Sequence, residues 1–422
     1  VVRSQDVVSQ GFLGHVHAAA IGLLTGSGPA PLGGWWLVIG IIAASAVLLA
    51  VGLRLRRRRW RRISVAVGGV GCLAAASCAG VLAVAAPAAA TGPVRAAWGV
   101  AQVVSPTVKS SATTWPVDDV NADLMMPTVA PDGSVWIGEM AANRLARLMP
   151  SQHIVQQVAL PGGYKEVMGL AVDGHGQVWL AEEHAQAIGL FDPSTGHYHQ
   201  YRIPAADPAP VGIAVDAHGD VWFTEMSGDR IGRFDPRTGR FTQFAVPTPE
   251  ALPYWLAIAP DGKVWFTEFG TGKVGVLQPS TGRISQYRLP AGQIPSGIAI
   301  GPGGTPWLAT LSGSLFRVEP ASGSLRQFQA PAANIYGVAV TANKTVWLGS
   351  ASGDAVYAFD PANATFRSYA LPRQQLAGGP GCGIAGASGY EPWWVAPAGN
   401  NRVWVALGAT NVGALGEVTE SR

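Results

Sequence analysis

Charge is scarce in this chain. Asp, Glu, Lys and Arg together make up 13% of its 422 residues. Cysteine is scarcer still, with three in all. Cys72 and Cys78 fall in one apolar stretch and Cys382 stands by itself, which excludes a disulfide framework. Cys382 has no histidine near it in sequence and reads as an unpaired loop thiol rather than a nucleophile. Acidic residues are nearly missing from the first 110 positions, which hold ten Lys/Arg and one Asp. The remainder holds 19 Lys/Arg and 25 Asp/Glu, a balance of −6 that argues against nucleic acid as a partner of that part. Against these shortages stand 54 glycines and 15 tryptophans. Glycine at this level without a three-residue period signals many tight turns.

Residues 1–31 carry no decisive pattern; the pair His15 and His17 is too small a set for a metal site. Leu32–Leu53 is a continuous apolar run with Trp35 and Trp36 near its start, long enough for a bilayer-spanning helix. Seven arginines lie within 54–62, and Ile63–Ala86 is a second apolar run rich in Gly and Ala. The pattern predicts a transmembrane helical hairpin over 32–86 with an Arg-rich cytoplasmic loop at 54–62. Gly68, Gly69, Ala75 and Ala79 would let the two helices approach closely. The alternative is a secretion signal that begins near Arg54 and is cleaved around Ala86–Ala90; a lipoprotein reading at Cys78 is weaker. Each reading places residues 87–422 outside the cytoplasm, on the cell membrane or secreted. Residues 87–110, rich in Ala, Pro, Val and Ser, read as a linker.

From residue 111 to the end the chain repeats. Pro210-Val-Gly-Ile-Ala-Val-Asp-Ala-His-Gly-Asp-Val-Trp-Phe-Thr-Glu225 returns as Pro253-Tyr-Trp-Leu-Ala-Ile-Ala-Pro-Asp-Gly-Lys-Val-Trp-Phe-Thr-Glu268. The marker tryptophans are Trp136, Trp179, Trp222, Trp265, Trp307, Trp347 and Trp404, spaced 43, 43, 43, 42, 40 and 57 residues apart. A period near 40 with four short strands per unit predicts a β-propeller, here all-β with seven blades. The last repeat ends after three strands, and Ala112–Val117 resembles the fourth strand of the others. It is expected to close the ring from the opposite end of the domain. The spacing of 57 marks a Gly-rich insertion, 373–390, before the last blade.

The blade motif is Pro-x-Gly-Ile-Ala, Val-Trp-Phe-Thr-Glu, Arg-Ile-Gly-Arg, then Thr-Gly and a strand ending in Leu-Pro or Val-Pro. In this the region resembles the virginiamycin B lyase (streptogramin B lyase) family of seven-bladed propellers. The resemblance implies a magnesium-dependent carbon–oxygen lyase that opens a cyclic depsipeptide by elimination, with a histidine base and glutamates holding the metal. It places Tyr336 at the family's basic histidine. It places Glu391-Pro392-Trp393 at the Glu-Pro-His opening of the last blade, and Gly408 near the second metal glutamate. Glu391 and Tyr336 are therefore the catalytic candidates.

The residues also suggest sites by themselves. Strand ends at one face of the ring should gather Tyr254, Trp255, Tyr336, Trp393 and Trp394 near the channel mouth, where aromatics suit stacking on a sugar or an apolar cyclic peptide. These are the ligand-binding candidates, with a protein partner as the other occupant. The competing role for each is packing between inner strands. Glu139, Glu182, Glu225 and Glu268 end the second strand of the first four repeats. Arg144, Arg230 and Lys273 stand five residues after three of them, a spacing that favours structural ion pairs. The second repeat has Ala187 there, so Glu182, with adjacent Glu183 and Glu391, is the metal candidate for Mg. Asn363-Ala-Thr365 spells a glycosylation acceptor and carries little weight.

Overall fold

The computed structural model describes residues 94–99, 102–103, 107–109, 112–118, 123–352, 355–371, 391–408 and 413–420. The apolar runs at 32–53 and 63–86, the arginines of 54–62, the insertion 373–390 and all three cysteines lie outside the described residues. Among the described residues no helix is long and apolar enough to cross a membrane.

Seven antiparallel sheets succeed one another along the chain. Blade 3 shows the plan: Pro210–Val215 innermost, then Val221–Glu225, Arg230–Asp235 and, outermost, Arg240–Ala245. The inner strands of successive blades touch, and that of blade 7, Glu391–Pro397, reaches that of blade 1, Thr128–Val129. The ring therefore closes. Blade 7 is completed from the other end of the domain, where Ala112–Asp118 pairs antiparallel with Gly413–Thr419. The closure expected from sequence is present, and the fold is a seven-bladed β-propeller.

The marker tryptophan has a structural reason. In blade 3 the carboxylate of Asp216 accepts the backbone N–H groups of His218 and Asp220 through Oδ1, closing the turn, and the indole N–H of Trp222 through Oδ2 at 2.9 Å. Blade 2 repeats this with Asp173 and Trp179 at 3.0 Å. One side chain thus fixes both the turn and the ring. Gly219, at φ +84°, supplies the left-handed residue that the turn requires. The second strand is buried along its whole length in blades 1 to 6, because it is covered on both faces by neighbouring blades. This is why it reads as a continuous apolar run rather than an alternation. Burying about 200 Å² of one tryptophan stabilises the fold by roughly 5 kcal/mol before entropy is counted.

Part of the stretch expected to be a linker is built into the domain. Val94–Arg95 pairs with the outer strand of blade 2, Ala97–Trp98 and Gln102–Val103 pair with that of blade 1, and Thr107–Lys109 adds a fifth strand to blade 7. Trp98 packs edge-on to Phe191 at 5.4 Å and lies 6.1 Å from Trp136. The composition of 87–110 resembles a linker because these strands are short and take their order from the exposed edges they cover.

Candidate functional site

The inner strands carry the residues that line the central channel. Each pairs with the second strand in matching register: Ile213 opposite Phe223, Leu256 opposite Phe266, Ile298 opposite Leu308, Val338 opposite Leu348, and Val395 opposite Val405. The residue just before each of these is Gly212, Trp255, Gly297, Gly337 and Trp394. Blade 2 has Gly169 there, before Leu170. A Cβ on Gly297 would lie 2.4 Å from the carbonyl oxygen of Tyr336, and one on Gly337 would lie 2.8 Å from that of Trp393. Neighbouring backbones approach so closely that glycine is required in those blades.

Blades 4 and 7 break this rule with tryptophan, and the two rings meet. Trp255 and Trp394 have centroids 4.3 Å apart and are 4% and 2% exposed. The two blades are not neighbours in the ring, so their contact crosses the channel. Tyr254 stacks on Trp394 at 6.3 Å and packs against Phe269 at 5.3 Å. Tyr336 stacks on Trp393 at 5.0 Å and meets Trp394 edge-on at 6.3 Å. All five aromatic candidates therefore form one cluster, with Trp255 and Trp394 as its buried floor and Tyr254, Tyr336 and Trp393 half-buried. The indole N–H of Trp394 has no acceptor among the described residues. Burial, with Tyr336 and then Glu183 nearby, pushes the Tyr254 hydroxyl above the usual phenol range.

Sequence reasoning missed Phe269, and also Met126, Met168 and Met226, which pack half-buried against the same core. Their signal was positional. Met226 and Phe269 come directly after a strand-end glutamate, and Met126 occupies the Trp255 position of blade 1.

The four strand-end glutamates are scaffold. Each is fully buried and receives the side-chain amide of a glutamine 18 residues later: Gln157 to Glu139, Gln200 to Glu182, Gln243 to Glu225, Gln286 to Glu268. Ion pairing is real but uneven. Arg144 Nε reaches Glu139 at 2.7 Å, while Arg230 stands 3.8 Å from Glu225. Lys273 donates to Thr248 Oγ1, and Glu268 takes the hydroxyl of Thr271 at 2.7 Å.

Glu182 has no arginine, yet it is not open to a metal. Tyr198 Oη and Gln200 Nε2 both donate to it inside blade 2, and a Cβ on Gly189 would lie 2.3 Å from its Oε1. Burial pushes its pKa up to about 7, against the opposing pull of those hydrogen bonds and of Lys165. Glu183 is half-buried, and burial, then Glu166 and Asp207, raise it to about 7 as well. The backbone of Glu391 pairs with Gly408; its side chain lies outside the described residues. Among the described residues no three His, Cys, Asp or Glu side chains gather for a metal. Tyr336 and Trp393 stand at the two histidine positions that the resemblance implies and Gly408 stands near its second metal glutamate, so Glu391 is the one residue of the four that matches.

No curated protein matches the chain. Among solved structures, it is similar to virginiamycin B lyase from Staphylococcus aureus at 24% identity and a TM-score of 0.64, covering 74% of this chain and 99% of that one. A catalytically inactive histidine-to-alanine variant of that enzyme, solved with quinupristin, gives 24% identity, a TM-score of 0.63, and coverage of 74% and 100%. YCF48 bound to D1 peptide is 12% identical, with a TM-score of 0.58 and coverage of 75% and 98%. At these identities the likeness shows the shared propeller fold. The model of the virginiamycin B lyase family matches residues 110–415, well over half of the sequence, and the chain therefore belongs to that family.

Proposed function

We propose that this protein is a binding propeller whose channel-mouth face takes a peptide-like ligand or a protein segment on an aromatic floor. The observation that carries this is the Trp255–Trp394 contact at 4.3 Å. It gives the ring an aromatic floor that Tyr254, Tyr336 and Trp393 flank. Flat aromatic surface of this kind suits apolar rings and peptide backbones and discriminates by shape rather than by charge. That YCF48, a propeller of the same fold, is bound to a peptide supports the partner class. The apolar runs at 32–53 and 63–86 support placing the propeller outside the cytoplasm and tied to the membrane.

Family membership favours a second reading, ring opening of a cyclic depsipeptide of the streptogramin B type. Tyr336 and Trp393 at the histidine positions put binding ahead of it. One experiment separates the two. The full chain is titrated with a streptogramin B, and the mixture, with and without magnesium, is resolved by chromatography and mass spectrometry. Ring opening by elimination leaves the mass unchanged, so fragmentation must report the linear product. The expected result is saturable binding, weakened at least tenfold in Trp393→Ala, with the ring intact. A magnesium-dependent linear product lost in Glu391→Gln would replace binding with catalysis. Neither binding nor product would remove cyclic depsipeptides as the ligand class.

A further inference from the structure

A groove of about 650 Å³ runs between blades 3 and 4 on the face opposite the channel mouth. The turns Asp216–Asp220 and Ala259–Gly262 form its sides, and the chain at Gln278–Ser280 adds a third side. Its apolar walls are Val215, Ile258, Ala259, Pro260 and Pro279. Its charged lining is Asp216, Asp220, Asp261 and Arg233, three carboxylates against one guanidinium, with the imidazole of His218 also on the wall.

The carboxylates are not equivalent. Asp216 is fully used by its own turn and by Trp222. Asp261 is exposed and pairs with Lys263 two residues on. Asp220 is 2% exposed. Its Oδ2 accepts Arg233 Nε at 2.8 Å and also faces Nη2. Its Oδ1 is buried with no donor among the described residues. Leaving a buried carboxylate oxygen without a donor costs more than a typical hydrogen bond gains. Arg233 lies over the Trp222 ring at 5.6 Å and is more than one-third exposed, so it is the movable member of the group. The Asp220 position is peculiar to blade 3. The matching residues are Ser134 in blade 1, Gln177 in blade 2, Lys263 in blade 4 and Arg402 in blade 7; the last pairs with Glu417 at 2.7 Å, so the repeat accounts for an ion pair here but not for a buried carboxylate oxygen without a donor.

We propose that this groove is a second binding site, for a primary ammonium on an alkyl stem such as a lysine side chain of a partner, with Asp220 as the anion and the Pro260–Pro279 walls along the stem. The charge of the lining selects a cation. The depth of Asp220, 2% exposed, favours a slender ammonium over the broader guanidinium or quaternary ammonium. Trp222 is buried and offers no open ring face, which excludes a stacked sugar.

The test uses the full chain labelled with ¹⁵N at its 15 tryptophans. The indole N–H of Trp222, held on Asp216 beside Asp220, is the reporter, assigned by its loss in Trp222→Phe. Pentylammonium is the probe and 1-pentanol its neutral counterpart. The expected result is a saturable shift of the Trp222 signal by pentylammonium, with pentanol at least tenfold weaker. Asp220→Asn should lose at least tenfold in affinity, with the other indole signals unmoved as the check on folding. If that variant does not fold, Arg233→Met decides the question. Removing the competing cation should tighten pentylammonium binding several-fold, which a purely structural Asp220 would not produce. Equal binding of pentanol and pentylammonium, no shift by either, or unchanged affinity in Arg233→Met would each overturn the proposal; the first two are the results expected if an ordered water satisfies Oδ1.

Discussion

Two sets of side chains in this ring look functional, and they differ in one respect: one repeats and the other does not. Glu139, Glu182, Glu225 and Glu268 return at each repeat of the first four blades, each buried with its own glutamine. Trp255 and Trp394 occur where blades 2, 3, 5 and 6 have glycine and blade 1 has Met126, and they meet across the channel. A residue that recurs with its partner is solving a problem that every blade has. A tryptophan that replaces the repeat's glycine in two blades and then finds its counterpart solves a problem of the ring as a whole. The comparison assigns the carboxylates to the scaffold and the aromatics to the mouth.

The strongest way to break this assignment is to remove one floor residue. Trp394→Ala should cost about 3–5 kcal/mol, because a fully buried ring is deleted and the floor cannot collapse onto the hole. It should also abolish ligand binding at the mouth. Denaturant unfolding and a ligand titration on the same sample test both. A loss of stability with binding intact would return Trp394 to ordinary core. Glu182→Ala should cost about 2–4 kcal/mol, since Tyr198 Oη and Gln200 lose their shared acceptor inside blade 2. Mouth binding should not change. If it did, the repeated carboxylates would belong to the site after all.

Glu183 sits between the two sets, next to a scaffold glutamate and electrostatically close to Tyr254. A carboxyl whose pKa rises on folding holds its proton more tightly in the native state. Its favourable contribution is therefore present at low pH and is lost as pH climbs from 4.5 through about 7. Unfolding measured at pH 5 and pH 7.5 should show the wild type losing about 2 kcal/mol from this group across that interval. Glu183→Gln should flatten that part of the slope and leave the part due to Glu182, which titrates in the same window. An unchanged slope would show that Glu183 is better hydrated than its neighbours imply.

The fold was legible because its signals are local. Asp-x-x-Gly-x-Val-Trp in blades 2 and 3 states a turn, a strand and the ring that the turn's aspartate holds, and the seven marker tryptophans at a period near 40 state a propeller. The five mouth aromatics were legible from their places at strand starts, but their contact was not. Nothing along the sequence says that blades 4 and 7 face each other across the channel; that is a consequence of ring closure. The glutamates invited a metal reading because a carboxylate at a strand end looks the same whether its partner is an ion or a glutamine 18 residues away. The absence of a base at Ala187 marked Glu182 as unpaired. Tyr198, one strand further out, supplied the missing donor. The short strands between 94 and 109 left no signal because they are ordered by the edges they cover.

The smallest expected effect sharpens the comparison within the scaffold itself. If the recurring Arg and Lys residues existed to neutralise the strand-end glutamates, removing any of them should cost the same. The geometry says otherwise. Arg144 bonds Glu139 at 2.7 Å with its side chain 28% exposed, whereas Arg230 stands 3.8 Å from Glu225 at 39%. Lys273 serves Thr248 instead. Arg144→Gln should cost about 1 kcal/mol, Arg230→Gln about half that or less, and Lys273→Gln nothing resolvable beyond the loss of one half-buried hydrogen bond to Thr248. Parallel urea titrations of the three variants decide it. A graded series leaves the glutamine as the partner common to all four blades and the base as an optional addition. Three equal losses would mean that charge neutralisation is the shared requirement, and blade 2, which lacks a base at Ala187, would then need Lys165 in that role.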